Sequence, residues 1–561
     1  MKFPSNGATL FFIVFIVAIC YHFETLEAVK SFFQSSYSTS SSSSDHPQHV
    51  LLLILDDFGH ADLSDSPLPS GSTPTPTPFL TSLFTSVSAR PLSTFVSYPQ
   101  CTPSRASLFT GVRAEELGMS HYVLVHGQDY CLPSTQATLP ELLPERFTRK
   151  AHVGKWHLGH SRSSCLPTNR GYDAFHGYYL GSIDFYGMDN NEVCCCDEVR
   201  LDEEQSDPLP NERNNSHPLS QICEPARSHG SFNSTHSDIH DLEVEAGDYI
   251  TDSLTKAAIS EIESFDLSGD SSLFLTVAMA ATHNGPFGDP QYKESDIDPS
   301  VAAKSKKRAG FSAMAKNLDE NVERLHSALA TKGILDDTLI VILSDNGGET
   351  SAGSSVYPFR GEKFTYFNGG IRPPAAIFGA GVKGGGGEGE RGAKRRLERS
   401  DSILPTYITN HLPLVASLLA LIAAFDDLFW IGDVAPTILE AVGGEIPRGV
   451  DGRSHWSAIS RPEETSVPFS RSDPFVSGVD PVREAGAVFH GRYKLVVNGT
   501  AGYDIDFDKP ELGGWVKPGD ADGESVEQGV VVSIWGERRT MVASLLLPSF
   551  APPAILRSSS N

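Results

Sequence analysis

His49-Val-Leu-Leu-Leu-Ile-Leu55, running straight into Asp56-Asp57, decides the fold. Val50 to Leu55 lacks the polar alternation of a half-exposed strand, so it reads as a strand covered on both faces, as in a parallel sheet flanked by helices. Two further runs repeat the pattern. Leu273-Phe-Leu-Thr-Val-Ala278 leads to Thr282-His283-Asn284, and Thr338-Leu-Ile-Val-Ile-Leu343 leads to Asp345-Asn346-Gly347-Gly348. Between them, residues 251–265 and 311–329 carry helical spacing and can serve as crossovers. Ligands of open α/β sheets bind beyond the carboxyl ends of the strands. Three strands that each end on polar, ligand-capable residues therefore predict one shared site.

The 561-residue chain, 39% hydrophobic and 20% charged, suits one large α/β domain with a smaller companion. Its formal net charge of -26 speaks against a nucleic-acid partner and leaves any anion site to local cations. Lys2 and the apolar run Leu10 to Cys20 read as a secretory signal over residues 1–28, too short for a stable membrane span. The secretory pathway follows, with an extracellular or lysosome/vacuole-like destination. A Ser-rich lead-in fills 29–47. The large domain is expected over 48–440, with a polar, Cys-rich insertion at 186–247 and an irregular one at 381–430. Within the latter, residues 412–425 read as a core helix. Short strand-like runs at 486–490 and 493–497 belong to a small C-terminal domain over 441–561. Asn214, Asn233 and Asn498 stand in glycosylation sequons.

Of eight cysteines, Cys20 leaves with the signal, and the odd remainder marks one as special. Cys101-Thr-Pro-Ser-Arg105-Ala-Ser-Leu-Phe-Thr-Gly111 places a cysteine just before a Pro-Ser turn that can open a helix, where thiol pKa values are lowered. On that ground alone a loop disulfide remains open. The whole string resembles the signature of the sulfatase family, Cys-x-Pro-Ser-Arg followed by Leu-x-Thr-Gly. Gly154-Lys155-Trp156-His157-Leu158-Gly159 matches the family's second signature, and the sequel from Cys165 is most similar to arylsulfatase B and its relatives.

The resemblance implies an alkaline-phosphatase-like α/β fold, a mixed, largely parallel sheet flanked by helices, with a smaller C-terminal α+β domain. It implies that Cys101 is oxidised to formylglycine by a formylglycine-generating enzyme. It implies Ca²⁺ held by Asp56, Asp57, residue 101, Asp345 and Asn346, an oxygen-rich set suited to a hard cation. Arg105, Lys155, His157, His283 and Lys363 become catalytic residues, with Lys155 and Lys363 on sulfate oxygens, Asp345 and His157 taking protons, and His283 facing the ester oxygen. Cys131 becomes the disulfide partner of Cys165, which leaves Cys194, Cys195, Cys196 and Cys223 to pair among themselves. Asn368 stands where the family usually has Glu. The expected substrate is a sulfate ester, of a sulfated sugar or polysaccharide. Two rivals are a formylglycine-dependent phosphonate monoester or phosphodiester hydrolase and a non-catalytic, sulfoglycan-binding relative.

Overall fold

The computed structural model describes residues 46–186, 248–382, 428–461 and 475–497, with short gaps inside these ranges, and the pieces 531–534 and 543–544. The signal, the three sequons, Cys194, Cys195, Cys196, Cys223 and the run 412–425 lie outside the described residues.

Strand β1 (His49–Leu55) is buried along its whole length. Val50, Leu52 and Ile54 enter one core with Phe109, Trp156 and Trp430, while Leu51, Leu53 and Leu55 enter a second with Leu254 and Leu318. The strand is thus sandwiched, which is why its apolar run is unbroken. With β2 (Ala89–Pro91), β3 (Arg149–Lys155), β4 (Ala174–Tyr178), β5 (Leu273–Ala278), β6 (Thr338–Ser344) and β7 (Ala375–Gly379) it forms a seven-stranded sheet ordered β2-β7-β6-β1-β5-β3-β4. Pairings β1/β5, β1/β6, β3/β5 and β3/β4 are parallel, and β7 runs antiparallel to both its neighbours. Because β7 is reversed, it begins at the edge where β1, β3, β5 and β6 end. The segment preceding it, residues 360–374, is delivered to that same edge.

Helix α1 (Cys101–Thr110) opens on the cysteine itself, while α2 (Ile250–Ser264) and α3 (Lys306–Lys332) pack against each other beside the second core. Helix α2 lies one residue from the expected range, but α3 starts five residues before Phe311. Its first turn is basic and carries no apolar period. It is held instead by Ser305, whose hydroxyl accepts from the Arg308 amide at 3.2 Å, and by an Arg308–Asp62 ion pair at 2.8 Å.

A second, antiparallel sheet joins β8 (Phe475–Asp480), β9 (Ala485–His490), β10 (Tyr493–Val497), β11 (Val531–Ile534) and β12 (Ala543–Ser544). Phe475, Ala485, Ala487, Phe489 and Val496 belong to the first core, so this sheet is packed into the main body. Glu115 pins it by accepting from Tyr98 Oη at 2.8 Å and from the Val479 amide. Asn368, the departure from the family pattern, accepts from Lys494 Nζ at 2.9 Å through Oδ1. Burial and then the Arg372 charge hold this lysine well below its ordinary pKa.

Two glycines bracket the 154–159 segment for steric reasons. Gly154 has φ +101°, and a Cβ there would lie 1.8 Å from the Ala278 carbonyl oxygen. Gly159 has φ +100°, and its Cβ would lie 2.2 Å from Cys131 Cβ. The Leu132 amide donates to Leu158 O at 2.9 Å beside that second contact, and Cys131 is disulfide-bonded to Cys165, with Cα atoms 5.9 Å apart. Gly154→Ala is expected to destabilise the protein by about 3 kcal/mol or more, since backbone on both sides cannot give way. Urea denaturation measures this, and a midpoint equal to wild type would contradict the close approach of β3 and β5.

Candidate active site

The strand ends converge as their sequence suggests. β1 delivers Asp56 and Asp57, β3 delivers Lys155 and His157, β5 leads to His283, and β6 leads to Asp345 and Asn346. Lys363 arrives on the segment before β7, and α1 contributes Cys101 and Arg105, one helical turn apart. Asp56, Lys155, Arg105, Asp345 and Asn346 are fully buried, and Cys101 is 1% exposed. His283 is only half-buried and marks the open side of the cluster.

Three buried carboxylates face three buried cations. Lys155 Nζ donates to Asp56 Oδ2 at 2.7 Å, Lys363 Nζ to Asp57 Oδ2 at 2.6 Å, and Arg105 Nε to Asp345 Oδ2 at 2.9 Å. Arg105 also reaches the Lys155 carbonyl through Nη1 at 2.7 Å and lies 3.9 Å from Asp56. Asn346 Nδ2 donates to Asp57 Oδ1 at 2.7 Å. Cys101 Sγ is 3.4 Å from Lys155 Nζ and 3.9 Å from Asp56 Oδ1. Burial resists the charge of Asp57, but Lys363 and His283 beside it hold its pKa below the usual range. Asp345 shifts the other way, because burial and the neighbouring Asp56 charge both favour its proton.

The two histidines have defined tautomers. A carbonyl can only accept, so His157 Nε2 donates to Leu124 O at 2.9 Å and Nδ1 keeps its lone pair, buried and without a partner. Burial, then Lys155 and Arg105, keep this ring neutral. His283 Nδ1 likewise donates to Asn284 O at 2.7 Å, so Nε2 accepts from Lys363 Nζ at 3.0 Å. Asp57 (φ 57°) and His157 (φ 59°) hold left-handed backbone, as does Phe364 (φ 71°) beside Lys363. Such conformations cost of order 1–3 kcal/mol each and gather where a site over-determines them.

All of Asp56, Asp57, Cys101, Arg105, Lys155, His157, His283, Asp345, Asn346 and Lys363 therefore meet in one place, with three adjustments. The expected lowering of the Cys101 thiol is reversed, because burial pushes it up to about 12 and the Lys155 charge does not compensate. Arg105 touches carboxylates and a carbonyl, so it organises the cluster from beneath. Among the described residues, Asp56, Asp57, Cys101 and His283 bring ligand atoms within 4.8 Å of one another, so His283 stands closer to the metal set than expected. Sequence reading missed Thr102, whose hydroxyl donates to His157 O at 3.2 Å and accepts from Leu124 N at 3.0 Å. It also missed Gly181, where a Cβ would meet His157 Cε1 at 2.6 Å. Thr102 lies inside the signature and could have been suspected; nothing in the sequence marks Gly181.

Fold and site together define a sulfatase architecture, and the sulfatase family model matches residues 48–421: the chain belongs to that family. Mouse arylsulfatase J (Mus musculus) is 30% identical over 327 residues, 58% of this chain and 46% of the relative. Human arylsulfatase A (Homo sapiens) is 28% identical over 367 residues, 64% of this chain and 63% of the relative. The match thus spans roughly half to two thirds of these relatives' length. The fold is similar to the crystal structure of the PsFucS1 sulfatase from Pseudoalteromonas sp., with a TM-score of 0.54, 19% identity, and coverage of 87% of this chain and 83% of that one.

Arg105→Met should cost about 3–5 kcal/mol, because it leaves Asp345 and Asp56 buried without their guanidinium. Asp345→Asn added to it should recover part of the loss. A loss below about 1 kcal/mol in denaturant titration would mean that this ion pair does not anchor the cluster.

Proposed function

We propose that the protein hydrolyses sulfate monoesters carried on an aromatic or sugar ring, using formylglycine made from Cys101 and a Ca²⁺ ion. The observation that carries this reading is the state of Cys101. It is enclosed at the start of α1 between Lys155 and Asp56, and its thiol is pushed up to about 12 by burial. A thiol held protonated is a poor nucleophile, so conversion to another group gives the enclosure a purpose. The arylsulfatase relatives support the same chemistry.

The residues fit a hard cation. Asp345 Oδ1 and Asn346 Oδ1 are buried without a hydrogen-bond partner, and with Asp56 and Asp57 they form an all-oxygen donor set. Without the ion, the three buried carboxylates and three buried cations cancel, with partly exposed Glu349 3.6 Å from Lys363; a divalent ion would tip the site positive, matched to an anionic ester. When present, the ion supplies Lewis acidity and the modified residue supplies a hydroxyl nucleophile for sulfur.

The chain's own groups do the rest. Lys155 and Lys363, whose ammonium groups lie on Asp56 and Asp57, would neutralise charge on the sulfate oxygens. Asp345, oriented by Arg105 Nε, accepts a proton on its carboxylate. His157, fixed by its Leu124 bond, accepts a second at Nδ1. Lys363, 3.0 Å from His283 Nε2, donates toward the leaving oxygen with His283 beside it. A secretory route for this chemistry is supported by the Cys131–Cys165 disulfide.

Two experiments test the reading. Protein expressed in a host that oxidises sulfatase cysteines should show an aldehyde at residue 101 by peptide mass spectrometry and should hydrolyse an aryl sulfate, with Cys101→Ala near background. Preference for an aryl phosphodiester would move the assignment to the phosphonate and phosphodiester hydrolases, and an unmodified, inactive protein would make it a binding relative. Separately, Ca²⁺ at about a hundred times its Kd should stabilise wild type by about 2.7 kcal/mol. Asp56→Ala should lose that response. A Tm indifferent to calcium and chelator in both proteins would remove the metal from the proposal.

A further inference from the structure

We infer that Tyr122 and Phe364 form an aromatic wall at the mouth of the site that stacks on the ring carrying the sulfate, and so select ring sulfates. The inference rests on the sulfatase reading above and deepens it. The two rings lie nearly parallel, at 17°, with centroids 6.3 Å apart. Tyr122 is 37% exposed and Phe364 is partly exposed, so both belong to the surface, not to either core.

Each ring is tied to a different side of the catalytic cluster. Phe364 directly follows Lys363, whose ammonium sits 5.2 Å from the Phe364 ring centroid while donating to Asp57. Its amide donates to Pro99 O at 2.8 Å, two residues before Cys101. The left-handed φ of 71° is unfavourable for a bulky aromatic, yet it is kept here, where glycine would be free of strain. Tyr122 stands two residues before Leu124, which is held at both backbone groups: its amide donates to Thr102 Oγ1 at 3.0 Å, and its carbonyl accepts from His157 Nε2 at 2.9 Å. The wall therefore bridges the Lys363 side and the His157 side of the cluster.

The chemistry selected is a ring with an apolar face. Aromatic rings stack on one another, and the C–H face of a pyranose meets an aromatic ring in the same way, so aryl and sugar sulfates share the recognition. Inorganic sulfate, with no carrier, reaches only the ionic pocket.

That difference gives the test. On matured, full-length protein, Tyr122→Ala should raise KM for 4-methylumbelliferyl sulfate about tenfold, a change the size of one good stacking contact. The inhibition constant of inorganic sulfate should move less than twofold. Tyr122→Phe should restore the wild-type KM, and Phe364→Gly, which removes the ring and relieves the backbone, should reproduce the Tyr122→Ala split. An unchanged KM in both ring-removing variants, or a KM and sulfate constant that rise together, would overturn the wall. If wild type shows no turnover, the catalytic reading fails by itself, and titration calorimetry of the same two ligands against the same variants decides the wall: a split in affinity supports it, and no split overturns it.

Discussion

One guanidinium holds the site together. Arg105 is fully buried, donates through Nε to Asp345 and through Nη1 to the Lys155 carbonyl, and lies beside Asp56. It thereby joins α1 to the ends of β6, β3 and β1 with a single planar group, something the point charge of a lysine cannot do. Taking the carboxylates out of water would cost several kcal/mol each without such partners. Cys101 sits one turn before Arg105 on the same helix, so its position follows from how the guanidinium is seated.

The sheet's one reversed strand has an equally direct effect. Parallel strands bring Asp56, Asp57, Lys155, His283, Asp345 and Asn346 to one edge, but their connections cross over helices and leave little chain there. Antiparallel β7 begins at that edge, so residues 360–374 can lie across the mouth and supply both Lys363 and Phe364. The chain as a whole is strongly acidic, at -26, yet the buried set at this edge is balanced in charge. Attraction for an anion is then a property of the last few ångströms and is unhelped by the field at long range.

Much of this was legible in the sequence because the relevant signals are local. Uninterrupted apolar runs reveal β1, β5 and β6, since strands covered on both faces have no polar period, and the two long signatures name most of the cluster. The short strand-like runs of β9 and β10 are legible as well. What escaped was non-local. The first turn of α3 is held by Arg308 and Asp62, 246 residues apart, and shows no amphipathic spacing. In β8, Gly478 at φ +80° interrupts the register and hides the strand's alternation. The partner of His157 is a backbone carbonyl, which any residue type provides. The thiol departs from expectation because burial, invisible in the local sequence, outweighs the helix N-terminus.

The enclosure of Cys101 also sets a schedule. With 1% of its surface exposed and Arg105, four residues on, fully buried, the folded protein offers no grip on residues 101–105 to another enzyme. A modifying enzyme that reads this segment must meet it as extended chain, before β1, β3 and β6 close around α1. On the proposed reading, folding and the conversion of Cys101 would compete for one stretch of polypeptide, and a chain that folded first would keep its thiol enclosed. The same burial that protects residue 101 in the folded protein would then limit when it can be changed.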